Sequence, residues 1–236
     1  MSTNISLAGM SLTAEYVIDE HVNYIFEIDT ARVRNYLPTY LCSKEPRHGV
    51  SLINIGYMKF DATQIGGLAE TIELTLSIVV DPDLSLEMAV PRISVYDITI
   101  ASNCPTFLAH EDRLQRLNGI YLPGLSRSLR GPGDLEVWDE DGTILEFRNP
   151  SPNPIYKYEY VTGQYVSAHP SGLYHGVFSW EGVGCEQQVE GDCGGSLPHR
   201  FYHDLDVGSF GNCYMQMFLP DAGQALFSSF YPRRLR

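Results

Sequence analysis

The chain has 236 residues, 44% of them hydrophobic and 19% charged, enough to bury a substantial core. A formal net charge of −13 argues against nucleic acid and anionic membrane as partners, and no apolar run approaches the roughly 20 residues of a membrane-spanning helix. No charged and apolar leader opens the chain, and five cysteines without tight spacing suit free thiols, so a cytoplasmic protein is expected.

Fifteen Tyr, 21 Gly and 14 Pro favour strands and turns over long helices. "NYIFEID" reads as a strand, followed by "ARVRNYLPTYL", where Val33 and Leu37 lie one helical turn apart before Pro38 ends the segment. "VSLINIGYMKF", "ETIELTLSIVV", "SLEMAV" and "RISVYDITIAS" continue the strand series. Residues 107–118 form the best helix, with Leu108, Leu114 and Leu117 between charges and Gly119 as its stop. "LEVWDED", an Asp-Gly turn and "TILEFRN" read as a hairpin. "SPNPI" interrupts the chain, and "YKYEYVTGQYV" is a further strand candidate. Residues 168–209 turn Gly-, His- and polar-rich, and are expected to be loops forming an insertion or lid on a single domain.

Within that stretch, "EGDCGGS" places Cys193 in a setting that resembles the nucleophile loop of chymotrypsin-like cysteine proteases. His21, His48 and His110 supply candidate bases, but "LPHRFYHDLDVGSFGN" lacks the apolar strand such a protease needs after its nucleophile. Cys185, Cys193, His199 and His203 also have the donor types of a tetrahedral zinc, with Asp204 and Asp206 as further oxygens, yet the close Cys pair of a zinc knuckle is absent. No metal is expected. His175 and His203 read as structural or exposed, and Asp61 as a turn former.

The sharper signal is "AETIELTLSIVV". Alternation puts Ile72, Leu74, Leu76 and Ile78 on one face, and Thr71, Glu73, Thr75 and Ser77 on the other. Extending the register back places Glu70 on the apolar face, where lost hydration would raise its pKa and make it a general acid or base.

Several segments resemble the acetoacetate decarboxylase family, over roughly residues 15–150. "YIFEIDTARVRNYLPTYL" matches its opening, with Asp29, Val33 and Pro38 at the family's offsets. "FDATQIGGLAETIEL" resembles the Gly-rich turn leading to the active-site glutamate, in whose place Glu70 stands, and "EDRLQRLNGIYLPGLSRSL" resembles the helix and catalytic loop. The resemblance implies an α+β, mainly β fold: a cone-shaped closed β-barrel with a few short helices, an apolar cavity and an assembly of subunits, so a homo-oligomer is expected. The departures are specific. Pro123-Gly124-Leu125 stands where the family has Pro-Lys-Lys with its Schiff-base lysine, Asp19 falls near the family's arginine, and Ile55 near a second glutamate.

Only three lysines occur, Lys44, Lys59 and Lys157. Ile53, Ile55, Tyr57 and Lys59 share a strand face, so if Ile55 faces the cavity, Lys59 does too, as a nucleophile with a depressed pKa. Arg113 and Arg116 on the helix are candidate clamps for a substrate carboxylate, Tyr121 and Tyr96 candidate hydroxyl donors, and Ile72 and Leu74 candidate lining residues. No phosphate loop, GxGxxG or haem motif is present, and no cofactor is expected. The reading is a cofactor-independent enzyme performing acid/base chemistry beside a carbonyl (a lyase, dehydratase, isomerase or cyclase) on a small keto or polyketide-like compound. A non-catalytic binding protein that kept the barrel is the alternative, and a cysteine protease the third.

Overall fold

A computed structural model describes residues 14–81, 93–114, 116–117, 119–131, 134–148, 155–188, 212–219 and 226–234. Strand β1 (Ala14–Asp29) ends where the Asp29 carboxylate accepts from the Ala31 N–H and starts α1 (Thr30–Val33), followed by one 3₁₀ turn. The Val-, Ile- and Tyr-rich segments then form β2 (Val50–Phe60), β3 (Thr71–Val79) and β4 (Ile93–Ser102). "SLEMAV" lies outside the described residues.

Helix α2 (Pro105–Leu114) is earlier and shorter than the periodicity predicts. Pro105 suits a first helical position because it has no N–H to leave unbonded. The helix has ended by Arg116, whose φ of 60° is left-handed. Next come β5 (Gly119–Tyr121), then β6 (Ser126–Gly131), β7 (Asp134–Asp139) and β8 (Gly142–Phe147). The predicted Asp-Gly hairpin is β7 and β8, and with β6 it makes a separate three-stranded sheet.

The remaining strands are β9 (Tyr156–His169), β10 (Gly172–Gln188), β11 (Cys213–Phe218) and β12 (Leu226–Arg234). The large sheet runs β11-β1-β12-β10-β9-β4-β3-β2, and β2 pairs with β1 along Ile18–Asp29 as well as with β3. Most pairs are antiparallel, while β4 runs parallel to both β5 and β9.

The expectation of loops from residue 168 is corrected as far as 188, because the longest strand, β10, occupies that stretch. Its glycines hid the strand, and three of the glycines in the β9–β10 ladder have a structural reason. Gly163 pairs with Phe178, Gly176 with Tyr165, and Gly184 with Tyr158. In each pair the aromatic ring lies over the glycine so closely that any Cβ would overlap it. The ring replaces the missing side chain and fills the strand surface. Cys193, His199 and His203 lie outside the described residues, while Cys185 is buried in the core.

Two apolar clusters sit on opposite faces of the large sheet. One joins Tyr24, Phe26, Ile55, Leu74 and Ile78 to the inner side of the small sheet, where Val137, Leu145 and Phe147 cover them. Tyr24 and Phe147 meet with ring centroids 3.8 Å apart. The other joins Phe60, Phe107, Leu108, Tyr165, Phe178 and Trp180, and so includes α2.

A buried acidic cavity as candidate active site

The small sheet decides which way the alternating strands face. Ile72 and Leu74 are buried as expected, but they pack toward the small sheet and not into a cavity. The polar face of β3 lines the cavity instead. Six strands contribute to it: Asn23 from β1, Asn54 from β2, Glu73, Thr75 and Ser77 from β3, Asp97 from β4, Tyr165 from β9, and Phe178 and Trp180 from β10. Its volume is about 60 Å³, and among the described residues no lysine or arginine lines it.

The ladder register arranges these groups in rows. Asn54 is opposite Ser77, which is opposite Asp97, so the three sit side by side. Two rows away, Met58 is opposite Glu73. Between them Gly56 is opposite Thr75, and the absent side chain at Gly56 leaves the space in which the Asn23 amide sits. The Ser77 hydroxyl donates to Asp97 at 2.7 Å, and the Thr75 hydroxyl to Glu73 at 2.9 Å.

Burial dominates the electrostatics. It lifts the Glu73 carboxyl from 4.5 to about 8, helped by the negative charges of Glu111 and Asp97 and opposed by the Thr75 hydrogen bond. Burial lifts Asp97 from 3.8 to about 7, with the Ser77 hydrogen bond opposing. Glu111, also buried, accepts from the Tyr16 hydroxyl at 2.8 Å. His21 packs edge-on against Trp180 at 4.7 Å, and burial lowers its pKa to about 4, so it is neutral at pH 7. The Asn54 Oδ1 and the Trp180 indole N–H are buried and make no hydrogen bond among the described residues.

These shifts have a sign. Between pH 6.5 and 8 the folded chain holds protons on Glu73 and Asp97 that an unfolded chain has released, so stability falls as pH rises through that window. His21 acts in the opposite sense only below 6.5, where unfolding lets it take up a proton. The midpoint of thermal unfolding should therefore drop from pH 6.5 to 8.5, and the drop should shrink in a Glu73→Gln, Asp97→Asn double variant. An equal slope in that variant would refute the assignment.

The other face of the sheet carries a different group of charges. Arg127 on β6 donates two hydrogen bonds to Glu20, at 3.0 and 2.8 Å, and the Tyr57 hydroxyl donates to the same carboxylate at 2.6 Å. Lys59 Nζ lies 3.5 Å from Asp19, 3.6 Å from Glu20 and 3.8 Å from Glu70. Arg127 and the lysine are thus consumed in tying the small sheet to β1 and β2; against the effect of burial, the hydrogen bonds from Arg127 and Tyr57 hold Glu20 below its usual carboxylate range, helped by the charges of Arg127 and Lys59.

This corrects two expectations. Ile55 and Lys59 do share a face, but it is the face away from the cavity. Glu70 precedes β3, so the strand register does not extend back to it, and its side chain is 69% exposed. The Asn103 side-chain amide donates to the Glu70 carbonyl at 3.1 Å in this turn. Asp61 accepts from the Thr63 N–H at 2.7 Å, as a turn former does.

The remaining candidates are dispersed. Tyr96 is buried among the small-sheet cluster, and burial raises its pKa. Tyr121, on β5, is half exposed. Arg113 is exposed on α2. Arg116 sits over the Tyr174 ring, 5.6 Å from its centroid, and neither arginine lines the cavity. His175 is buried, 3.2 Å from Gln164 Oε1. Among the described residues no group of three or more His, Cys, Asp or Glu side chains is arranged to hold a metal, and no helix is long and apolar enough to cross a membrane.

An acetoacetate decarboxylase of known structure superposes on the chain with a TM-score of 0.61 at 11% identity, covering 99% of this chain and 93% of that one. The fold is that of acetoacetate decarboxylase. A second such decarboxylase, from Legionella pneumophila, gives a TM-score of 0.55 at 12% identity over 100% of this chain and 92% of its own. The enduracididine biosynthesis enzyme MppR, solved with pyruvate, gives 0.56 at 10% identity over 100% of this chain and 95% of its own. No protein-family model and no curated protein sequence matches the chain. Within the acetoacetate decarboxylase fold, Pro123-Gly124-Leu125 offers no amine: Leu125 is buried in the small-sheet cluster, and Gly124, at φ 75°, packs near Glu140.

Proposed function

We propose that this chain is a divergent acetoacetate-decarboxylase-like enzyme of a single domain, performing cofactor-independent acid/base chemistry beside the carbonyl of a small molecule, with Glu73 as the proton-transfer group. The ring of pairings through β1, β12, β10, β9, β4, β3 and β2 supports a closed, cone-like barrel around the cavity. The observation that carries the reading is a partly buried carboxyl, lifted to about 8, that lines a cavity with a second carboxyl near 7. At neutral pH such a pair provides both forms at once: a carboxylic acid that donates to a carbonyl oxygen and a carboxylate that accepts a proton from the adjacent carbon. The Trp180 N–H supplies a donor for the developing oxyanion. Proton transfer of this kind serves a lyase, dehydratase, isomerase or cyclase equally.

Hydrogen–deuterium exchange at the α-carbon of acetone, butanone, aminoacetone, pyruvate and a 1,3-diketone, followed by NMR, tests this directly. Faster exchange in the presence of the protein for at least one of them is expected. No exchange with any of them would leave a binding protein that kept the fold, a reading that the amine-free Pro123-Gly124-Leu125 segment favours. Borohydride trapping on the same panel should give no adduct at Lys59, because that amine is held among three carboxylates on the opposite face.

A further inference from the structure

Resting on that reading of the cavity, we infer that the molecule it accepts carries a primary ammonium group, held at the Asp97–Ser77–Asn54 row. Charge favours a cation. Glu73 and Asp97 line the cavity with no lysine or arginine among the described residues, so a keto acid would bring its carboxylate against two acidic groups without a counter-ion there. A cation meets the opposite situation, since each carboxylate that ionises on binding gains a partner.

Hydrogen-bond geometry at the row points to the same group. Asn54 is 5% exposed, lines the cavity, and its Oδ1 has no donor among the described residues. A buried acceptor without a donor is destabilising, and a ligand N–H removes that cost. An ammonium has three donors and no acceptor. The register sets Asn54 and Asp97 on either side of Ser77, so a single nitrogen at that row meets an amide oxygen and a carboxylate. The Ser77 hydroxyl already donates to Asp97 and holds its carboxylate in place.

The aromatic part of the lining favours a cation as well. Tyr165, Phe178 and Trp180 face the same space, and an aromatic surface attracts a cation through the negative face of its rings. The rings of Tyr165 and Phe178 are fixed because each lies over a glycine of the neighbouring strand. The one unpaired donor in that part of the lining, the Trp180 N–H, suits the carbonyl oxygen of the same ligand. A cavity of about 60 Å³ has room for on the order of four to six non-hydrogen atoms. The ligand class is therefore a small amino-carbonyl compound, with its ammonium at Asp97 and Asn54 and its carbonyl toward Trp180 and Glu73.

Aminoacetone and butanone separate this from the alternatives, because they have the same size and differ in an ammonium against a methyl group. Their binding to the full chain, measured by calorimetry at pH 7.5 beside acetoacetate, should favour aminoacetone by about tenfold or more. Asp97→Asn and, separately, Asn54→Leu should each remove most of that preference, read as the ratio of the two affinities within the same variant. Equal or tighter binding of butanone or acetoacetate, or no binding of aminoacetone, would overturn the inference, and this comparison needs no variant. Failure of the enzymatic reading looks different: aminoacetone would bind with the expected preference and no carbonyl compound would exchange. If butanone exchanges and the amine gives no preference, the acid/base reading stands and the ammonium site falls.

Discussion

Glu73→Gln should lower α-proton exchange by about two orders of magnitude or more while the fold is retained. The substitution keeps the size of the side chain and the contact with the Thr75 hydroxyl, and removes only the capacity to exchange a proton. Because the wild-type carboxyl is pushed up to about 8 by burial, the amide carries no extra penalty at neutral pH. The thermal midpoint at pH 8 should therefore equal or exceed that of the wild type. Glu70→Gln is the matched control: an exposed carboxylate in a turn outside the cavity should affect exchange by less than about threefold, small against a general acid–base effect. A large loss at Glu70 with none at Glu73 would reverse the assignment and restore the exposed glutamate as the catalytic group.

Gly176→Ala should destabilise the chain by about 3 kcal/mol, at the upper end for inserting one methyl group into a packed site. Alanine is ordinarily better than glycine in a strand, so the sign itself is diagnostic. The new Cβ would overlap the Tyr165 ring, which cannot swing away without entering the cavity. Denaturant unfolding would measure the effect, and the companion change Tyr165→Leu should partly rescue it by removing the obstructing ring. A neutral or stabilising Gly176→Ala would show that Tyr165 does not lie over that glycine.

Much of the strand order is legible in the sequence because apolar residues alternate from Ile72 to Ile78 in β3, because β2 is rich in β-branched and aromatic residues, and because the Asp-Gly turn fixes the β7–β8 hairpin. The acetoacetate decarboxylase fold is legible too, in the order of short motifs from Asp29 to Pro123. What the sequence of one strand does not contain is which of its faces points inward. Alternation separates Ile72 and Leu74 from Glu73 and Thr75 correctly, but the apolar set is covered by Val137, Leu145 and Phe147, more than 60 residues further along. With that face covered from outside, the polar set is left to line the cavity.

The same inversion makes Glu70 the expected cavity carboxyl and leaves Glu73 on the face expected to meet solvent. Polar alternation in "TIELTLS" was the available signal, and it reads as solvent exposure unless the cover of the other face is known. In β10 the obstacle was different. Glycines that usually mark loops stand there opposite Phe178, Tyr165 and Tyr158, a pairing visible only once β9 is placed alongside.

The position of β12 between β1 and β10 has a consequence for biosynthesis. Among the described strands β1 is made first and β12 last, although the two are paired. Until β12 is made, the β1 stretch Ala14–Ile18 and the β10 stretch Tyr174–Glu181 lack the strand that joins them, and β11 alone links β1 to β10, at Val22–Phe26 and Cys185–Gln188. Slow, late closure of this kind is what long-range strand pairing imposes on a nascent chain.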